Sequence, residues 1–392
     1  MKKLKMVFFL TFTVSIFLIG GCVKSFTDIK PTQEVPLYGL KGVGINSMLF
    51  WSGTSKISSA EAALHHLSPL ETHGFSHIVL ITCADWILAE SVPGIECMKR
   101  FQTKENVIRV ARLLVDQTSL HVVISLKAYY QKKIDGKHIS LLNTQLEKSS
   151  KVQKTFIAAW ADIAEQLSDV PRERLSFNLL NEPEFEHPKP SNSKRKAWEK
   201  IASDTIKAIR KISPDRVIIY EGIAKSLFAA RKNKKGIYEY SSVDSIMQPL
   251  DFRDIVYGVH NYEPEHFLQQ AKYRSGTVGK PHTESITQSV IKDANRLSKW
   301  ANKHNVPVIL TETGCIGYVD GKTEGPKNPN DCGKYAADVY NAYVKNGIPV
   351  TWWALEKEKT IYKRDSGSDK KWMPDKRIPD EALFKGFQLK SD

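Results

Sequence analysis

Four apolar runs in this chain end in polar or aromatic residues whose side chains could act together in catalysis. They supply two carboxylates, a carboxamide, an imidazole, a phenol and an indole: Glu182, Glu312, Asn181, His260, Tyr262 and Trp353. One carboxylic acid of such a pair can protonate a departing oxygen, while the other carboxylate attacks carbon or activates water. This is the chemistry of glycosidic bond cleavage, and its retaining form needs the two carboxyl groups about 5–5.5 Å apart. Because the two glutamates are far apart in sequence, the fold must bring them together.

Short apolar runs alternate along the chain with amphipathic stretches, which indicates βαβ units and a parallel sheet. The runs lie at 42–46, 77–81, 121–125, 175–180, 216–220, 255–259, 306–310 and 349–353. Their continuous apolar character is typical of strands buried on both faces. Eight such units predict an α/β fold, a single-domain (β/α)8 TIM barrel, and a doubly wound open sheet is the alternative. In such a barrel the functional residues lie at the carboxyl ends of the strands, where the six side chains would meet.

The first 22 residues have the pattern of an export signal. Three lysines precede an uncharged apolar run from Met6 to Ile19, which ends in Gly20-Gly21-Cys22. The run is too short for a confident membrane span. The ending resembles a bacterial lipoprotein signal and implies a lipid on Cys22, with a plain signal peptide as the alternative. We therefore expect a signal peptide over 1–21, a tether over 22–37 and the catalytic domain over 38–392. This predicts an exported lipoprotein of the cell envelope, held at the outer membrane or cell surface in a Gram-negative cell.

The four remaining cysteines suggest disulfide bonds, because their number is even and the chain is predicted to be exported. Pairing Cys83 with Cys97 and Cys315 with Cys332 closes two short loops and is favoured. The two other connectivities and free thiols stay open. No pair of cysteines has the CxxC spacing of a zinc site.

The formal charge of +14 would favour polyanions or an anionic membrane face. The basic residues are scattered and not interleaved with exposed aromatics, so a solvated basic surface is preferred and nucleic acid is not expected as a partner. No metal-ligand spacing, dinucleotide fingerprint or phosphate loop is present, so no metal and no cofactor is expected. We expect a monomer that binds a polysaccharide or oligosaccharide, with the membrane contacted through the lipid.

Two segments resemble signatures of glycoside hydrolase family 5, the cellulase and mannanase family. Residues 177–183, Phe-Asn-Leu-Leu-Asn-Glu-Pro, resemble the signature of its strand four, and residues 309–314, Ile-Leu-Thr-Glu-Thr-Gly, that of its strand seven. His260-Asn261-Tyr262 matches the His-x-Tyr of strand six, and Trp353 matches the tryptophan of strand eight. The resemblance covers roughly residues 42–354.

The resemblance implies a role for each matching residue. Glu182 would be the acid/base, and Glu312 would be a nucleophile that stays ionised. Asn181 would hold the sugar 2-hydroxyl and Tyr262 would orient Glu312. His260 would position the site, and Trp353 would form the floor of a sugar subsite.

Two positions depart from the family's pattern. Val79 stands where strand two usually has an arginine that bonds the nucleophile, and Lys127 lies where strand three usually ends in Asp-x-His. We hypothesise that Lys127 supplies the missing positive charge near the substrate, with a lysine at the rim as the alternative. Trp86, after strand two, is a further candidate for sugar contact.

The favoured function is that of a retaining endo-β-glycanase, cellulase-like or mannanase-like. A catalytically silent glycan-binding lipoprotein on the same barrel is an alternative, since the arginine and histidine are missing. An exo-acting or transglycosylating relative is another, and the shape of the cleft would decide between it and the endo-acting enzyme.

Overall fold

The computed structural model describes residues 40–50, 59–88, 103–129, 131–134, 137–183, 191–223, 230–232, 238–240, 242–271, 275–317, 324–355, 359–362 and 378–391. The predicted signal peptide, the tether with Cys22, and Cys97 lie outside these residues and stay predictions. Within the described part of the chain, no helix has both the length and the apolar character needed to cross a membrane.

Eight parallel strands close into a barrel, as predicted. They are β1 (Val43–Phe50), β2 (His77–Cys83), β3 (His121–Lys127), β4 (Leu175–Asn181), β5 (Val217–Glu221), β6 (Ile255–His260), β7 (Val308–Thr313) and β8 (Val350–Trp352). Each strand pairs with the next along the chain, and β1 pairs with β8 through Val43 and Val350. This closure excludes the open-sheet alternative.

Helices lie between the strands and after the last one. They are α1 (Ala60–Leu67), α2 (Pro69–Thr72), α3 (Lys104–Gln117), α4 (Leu141–Lys148), α5 (Ser150–Gln166), α6 (Asn192–Arg210), α7 (Val243–Ile246), α8 (Glu265–Leu268), α9 (Glu284–His304), α10 (Asp331–Ala342) and α11 (Glu381–Gly386). Short 3-10 turns cover Asp85–Leu88 and Val344–Asn346, and antiparallel hairpins are formed by 131–134 with 137–140 and by 230–232 with 238–240.

Alternate residues of the strands build two separate apolar clusters, as the period of two in a strand requires. One cluster fills the barrel and includes Val79, Val123, Ile219 and Trp353. The other lies between the barrel and the helices and includes Trp352, whose indole Nε1 donates to the backbone oxygen of Lys359 over 2.8 Å. The adjacent tryptophans therefore point to opposite sides of the chain at the end of β8.

Two buried histidines lie side by side at the amino ends of β2 and β3, in register with each other. Nε2 of His77 lies 2.9 Å from Oγ1 of Thr351, and Nε2 of His121 lies 2.7 Å from Oγ of Ser176. Gly44 makes room for the first ring, because a Cβ at that position would come within 2.1 Å of it. Burial lowers the pKa of His77 to about 3 and that of His121 to about 4, so both rings are neutral near pH 7.

A disulfide joins Cys315, just after β7, to Cys332 in α10, with 5.7 Å between their Cα atoms. This confirms one of the two predicted pairings. Cys83 is also disulfide-bonded, but its predicted partner, Cys97, lies outside the described residues.

Candidate active site

Glu182 follows the last residue of β4 with a left-handed backbone, at φ 52°. This conformation is uncommon for a residue other than glycine and is costly unless its surroundings fix it. Both backbone polar groups of Glu182 have partners. Its N–H donates to Oε2 of Glu221 over 2.9 Å, and its carbonyl oxygen accepts from Nδ2 of Asn143 over 3.3 Å. The turn therefore directs this carboxylate over the end of the barrel.

Glu312 belongs to β7 and is buried, with 5% of its surface exposed. Tyr262 Oη donates to its Oε1 over 2.6 Å, and Asn181 Nδ2 donates to its Oε2 over 3.4 Å. The contact of Tyr262 is the one that the family resemblance implies, whereas for Asn181 the resemblance implies a contact with the sugar 2-hydroxyl. Burial raises the pKa of Glu312; the positive charge of His260 opposes this rise, and the charge of Glu182 adds to it. Burial and the charge of Glu182 together outweigh the nearby cations. That Glu312 stays ionised is still a prediction.

His260 contacts three carboxylates. Its Nε2 lies 3.2 Å from Oε2 of Glu221, and its Nδ1 lies 3.3 Å from Oε1 of Glu182 and 3.3 Å from Oε2 of Glu312. Burial would lower the pKa of His260, but the charges of Glu312 and Glu221 reverse that effect and raise it well above its ordinary value. The ring is therefore an imidazolium between the two predicted catalytic carboxylates.

Lys127 points from the end of β3 into the same cluster. Its ammonium donates to the carboxylate of Glu182 and lies 3.4 Å from Oδ1 of Asn181. Burial opposes the charged ammonium, yet the carboxylates of Glu182 and Glu312 raise the pKa of Lys127 overall. The structure thus brings this predicted residue to the site, with 9% of its surface exposed.

Below the carboxylates lies a small cavity inside the barrel. Its walls are formed by Asn46, Val79, Ile81, Val123, Asn178, Asn181, Ile219, Glu221, His260, Ile309, Thr311, Glu312 and Thr351. Val79, which replaces the expected arginine, contributes apolar wall, so no charge reaches Glu312 from this position of β2.

Glu182, His260 and Glu312 place one possible ligand atom each within 4.8 Å of one another, which is close enough for a metal ion. One contact opposes metal binding. Lys127 already donates to Glu182, so a metal ion would have to displace its ammonium group. The donor set therefore fits protons and ammonium groups better than a cation such as zinc.

The two predicted tryptophans are not among the described residues that line this cavity. Trp353 is 6% exposed and belongs to the apolar cluster inside the barrel, and Tyr262 packs against that cluster. Trp86 packs against the outer cluster, and the ammonium of Lys104 lies 5.8 Å from the centre of its ring. Their contact with a sugar stays a prediction.

Three side chains of the site were not among the predicted site residues. Glu221 and Asn178 face the cavity from β5 and β4, and Nδ2 of Asn178 donates to Oε1 of Glu221 over 2.7 Å. Lys359 is buried, with its Nζ 4.3 Å from the centre of the Tyr262 ring. A polar residue inside an apolar strand marks Glu221 and Asn178 in the sequence. No comparable signal marks Lys359, which follows β8 in an irregular segment.

The fold and this constellation define a (β/α)8 barrel with a pair of carboxylates at the carboxyl ends of strands four and seven. The cellulase family, glycosyl hydrolase family 5, matches residues 114–359. The chain belongs to glycosyl hydrolase family 5.

Two curated proteins show what the chain is similar to. It is 26% identical over 340 residues to Endoglucanase 3 of Fibrobacter succinogenes, a match that covers 75% of this chain and 48% of that protein. It is 25% identical over 218 residues to Endoglucanase H of Acetivibrio thermocellus, a match that covers 54% of this chain and 20% of that protein. The chain therefore spans less than half the length of these relatives.

Solved structures share the fold. An endoglucanase of Thermotoga maritima aligns with a TM-score of 0.60 at 18% identity, covering 88% of this chain and 96% of that chain. The cellulose synthase subunit Z of Clostridioides difficile aligns with a TM-score of 0.61 at 18% identity, covering 88% and 99%. These likenesses support the barrel.

Proposed function

We propose that this protein is a retaining endo-β-glycanase, with Glu182 as acid/base and Glu312 as nucleophile. The observation that carries the proposal is the placement of the two carboxylates: one oxygen of each lies within 4.8 Å of the other, around His260. This spacing fits the roughly 5–5.5 Å of retaining enzymes, whereas inverting enzymes hold their carboxyl groups about 6.5–9.5 Å apart to admit a water.

In the first step Glu312 attacks the anomeric carbon while Glu182 gives its proton to the leaving oxygen, forming a glycosyl-enzyme. In the second step Glu182 takes a proton from water, and that water releases the sugar from Glu312. Tyr262 donates to one carboxylate oxygen of Glu312 and Asn181 donates to the other, which fixes the direction of attack. We propose that Asn181 also contacts the hydroxyl beside the reacting carbon.

The substrate we propose is a β-1,4-linked glucan or mannan. The endoglucanase names of the two curated relatives support a glucan. The paired carboxylates also argue against a silent glycan-binding protein, because binding alone does not require two ionisable groups in mutual contact.

A panel of β-glucan, mannan, xylan and chitin oligosaccharides tests the assignment. The full chain, purified in mild detergent, is incubated with each, beside Glu312→Gln and Glu182→Gln. Cleavage that disappears in both variants supports the hydrolase. Binding without cleavage by the wild type would favour the silent protein, and release of single sugars from chain ends would favour the exo-acting alternative.

Two measurements address the retaining mechanism. NMR spectra taken early in the reaction should show the product as the β-anomer first. A 2-deoxy-2-fluoro glycosyl fluoride of the preferred sugar should label Glu312, and peptide mass spectrometry should locate the label. A first-formed α-anomer would contradict retention.

We also propose that the mature protein is a lipoprotein monomer of the cell envelope, anchored through Cys22. The sequence pattern ending at Cys22 supports this. In a bacterial host, labelling with an alkyne fatty acid should tag the wild type and spare Cys22→Ser.

A further inference from the structure

Glu221 is a buried carboxylate that the two-step reaction does not use. It is 3% exposed, at the end of β5, and it is a neighbour of both β4 and β6 in the barrel. The family resemblance gives this position no role. Gly258 of β6 leaves it space, since a Cβ there would lie 3.0 Å from the Glu221 Cγ.

Each oxygen of Glu221 has a partner in the site. Oε1 accepts from Nδ2 of Asn178 over 2.7 Å. Oε2 accepts from the backbone N–H of Glu182 over 2.9 Å and lies 3.2 Å from Nε2 of His260. A single carboxylate thus holds the left-handed turn that presents Glu182 and also contacts the imidazolium that lies between Glu182 and Glu312.

The charges of the groups in mutual contact nearly balance. Three carboxylates, Glu182, Glu221 and Glu312, face two cations, Lys127 and His260. The cluster becomes neutral when the carboxylates together hold one proton. A retaining glycosidase needs this state at rest, with one acid protonated and the other ionised. Tyr262, which donates to Glu312, and Lys359, over the Tyr262 ring, face the cluster from the loops after β6 and β8.

We infer that Glu221 is a positioning residue. It fixes the turn of Glu182, and its negative charge keeps one more proton in the catalytic cluster besides the proton on His260. Its action goes through Glu182 and His260. The inference rests on the proposed role of Glu182 as acid/base.

Removing the negative charge of Glu221 should lower the pKa values of the groups around it. Without the anion of Glu221 the cluster binds protons less tightly, so both His260 and the acid lose theirs at lower pH. In Glu221→Gln the basic limb of the kcat/KM profile should therefore move down by about one pH unit, the scale of a nearby charge. Glu221→Asp keeps the charge and should restore the limb, although its shorter side chain lowers kcat by weakening the contact with the Glu182 backbone.

The choice of substrate separates this role from general damage. An aryl glycoside with a very acidic phenol needs little protonation of its leaving group. If Glu221 acts through the acid, Glu221→Gln should lose much more activity on the natural glycan than on the aryl glycoside. Glu199→Gln, in α6 and paired with Arg195, is the control for replacing a less buried glutamate outside the cluster.

A readout without substrate completes the test. In the full chain labelled with ¹⁵N-histidine, the His260 signals are assigned with His260→Asn, and their titration is compared between wild type and Glu221→Gln. A lower midpoint in the variant supports the inference. An unchanged midpoint, with unchanged pH limbs and a uniform loss of kcat, overturns it and leaves Glu221 a merely structural residue. If the wild type cleaves no glycan, the proposed function fails, and the titration alone then decides the inference in the same two ways.

Discussion

The ammonium group of Lys127 donates directly to the carboxylate of Glu182, in a site where the usual strand-two arginine is replaced by Val79. The positive charge therefore enters from β3 on the side of the proposed acid/base, whereas Val79 leaves an apolar wall below Glu312. A cation in contact with a carboxylate favours its ionised form. The charge of Lys127 also acts to lower the pKa of Glu312.

Replacing Lys127 with methionine should move the whole pH profile upward. Without the cation both carboxylates hold their protons to higher pH, so the acid and basic limbs of kcat/KM should each rise by about one unit. This shift is opposite in sign to that expected for Glu221→Gln. Profiles measured on the preferred glycan check it. Lys127→Arg should keep both limbs, and Lys303→Met, which breaks an exposed pair with Asp244, is the control. Unmoved limbs in Lys127→Met would show that the lysine does not tune the site.

Tyr262→Phe removes the hydroxyl that donates to Oε1 of Glu312. A hydrogen bond to a charged group contributes about 1.5–3 kcal/mol, so kcat/KM should fall roughly 10-fold to 100-fold. The hydrogen bond lowers the pKa of Glu312, and its loss should therefore move the acid limb to higher pH.

The ring of Tyr262 stays in place in this variant, so its packing against the apolar cluster inside the barrel should persist and the melting temperature should change little. Tyr340→Phe, on α10, is the control for loss of a phenol outside the site. A full rate with an unshifted acid limb in Tyr262→Phe would remove Tyr262 from the machinery.

The sequence predicts the barrel and the core of the site well, because both depend on local patterns. Each apolar run becomes a strand, and residues at the ends of runs, such as Glu182 and Glu312, meet at one end of the barrel. The contacts of Glu221 depend on the pairing of β5 with β6 and on the space above Gly258, which no local pattern reveals. The sequence also does not show that the ring of Trp86 turns toward the outer core, since the orientation of a side chain in a short 3-10 turn has no readable period.

The buried pair of His77 and His121 should make stability fall with acid. Burial lowers the pKa of each ring in the folded protein below its unfolded value near 6.5, to about 3 and about 4. As pH falls below 6.5, the unfolded chain binds protons that the folded chain excludes. Each ring therefore lowers the free energy of unfolding by up to about 1.4 kcal/mol per pH unit. The loss should end once the pH passes below the folded pKa values.

Denaturant unfolding between pH 7.5 and 4.5 measures this dependence. His77→Gln and His121→Gln should each be less stable at pH 7.5 and should each show a shallower loss toward pH 4.5. The exposed His266→Gln should follow the wild-type slope. Equal slopes in all four proteins would mean that other groups, such as the carboxylates, set the acid sensitivity.

The disulfide between Cys315 and Cys332 begins three residues after Glu312, yet we expect it to stabilise the fold more than it shapes the nucleophile. Closing a loop of 17 residues contributes about 3 kcal/mol in the chain-entropy estimate. Glu312 itself is held within β7, and its carbonyl oxygen accepts from the backbone N–H of Asn261 over 3.0 Å. The double variant Cys315→Ser/Cys332→Ser should therefore lose about that free energy of unfolding while keeping kcat within a few-fold at 25 °C. Urea unfolding and initial rates on the preferred glycan, measured on the same preparation, check both parts. A large fall in kcat with little loss of stability would instead show that the bond positions the loop beside Glu312.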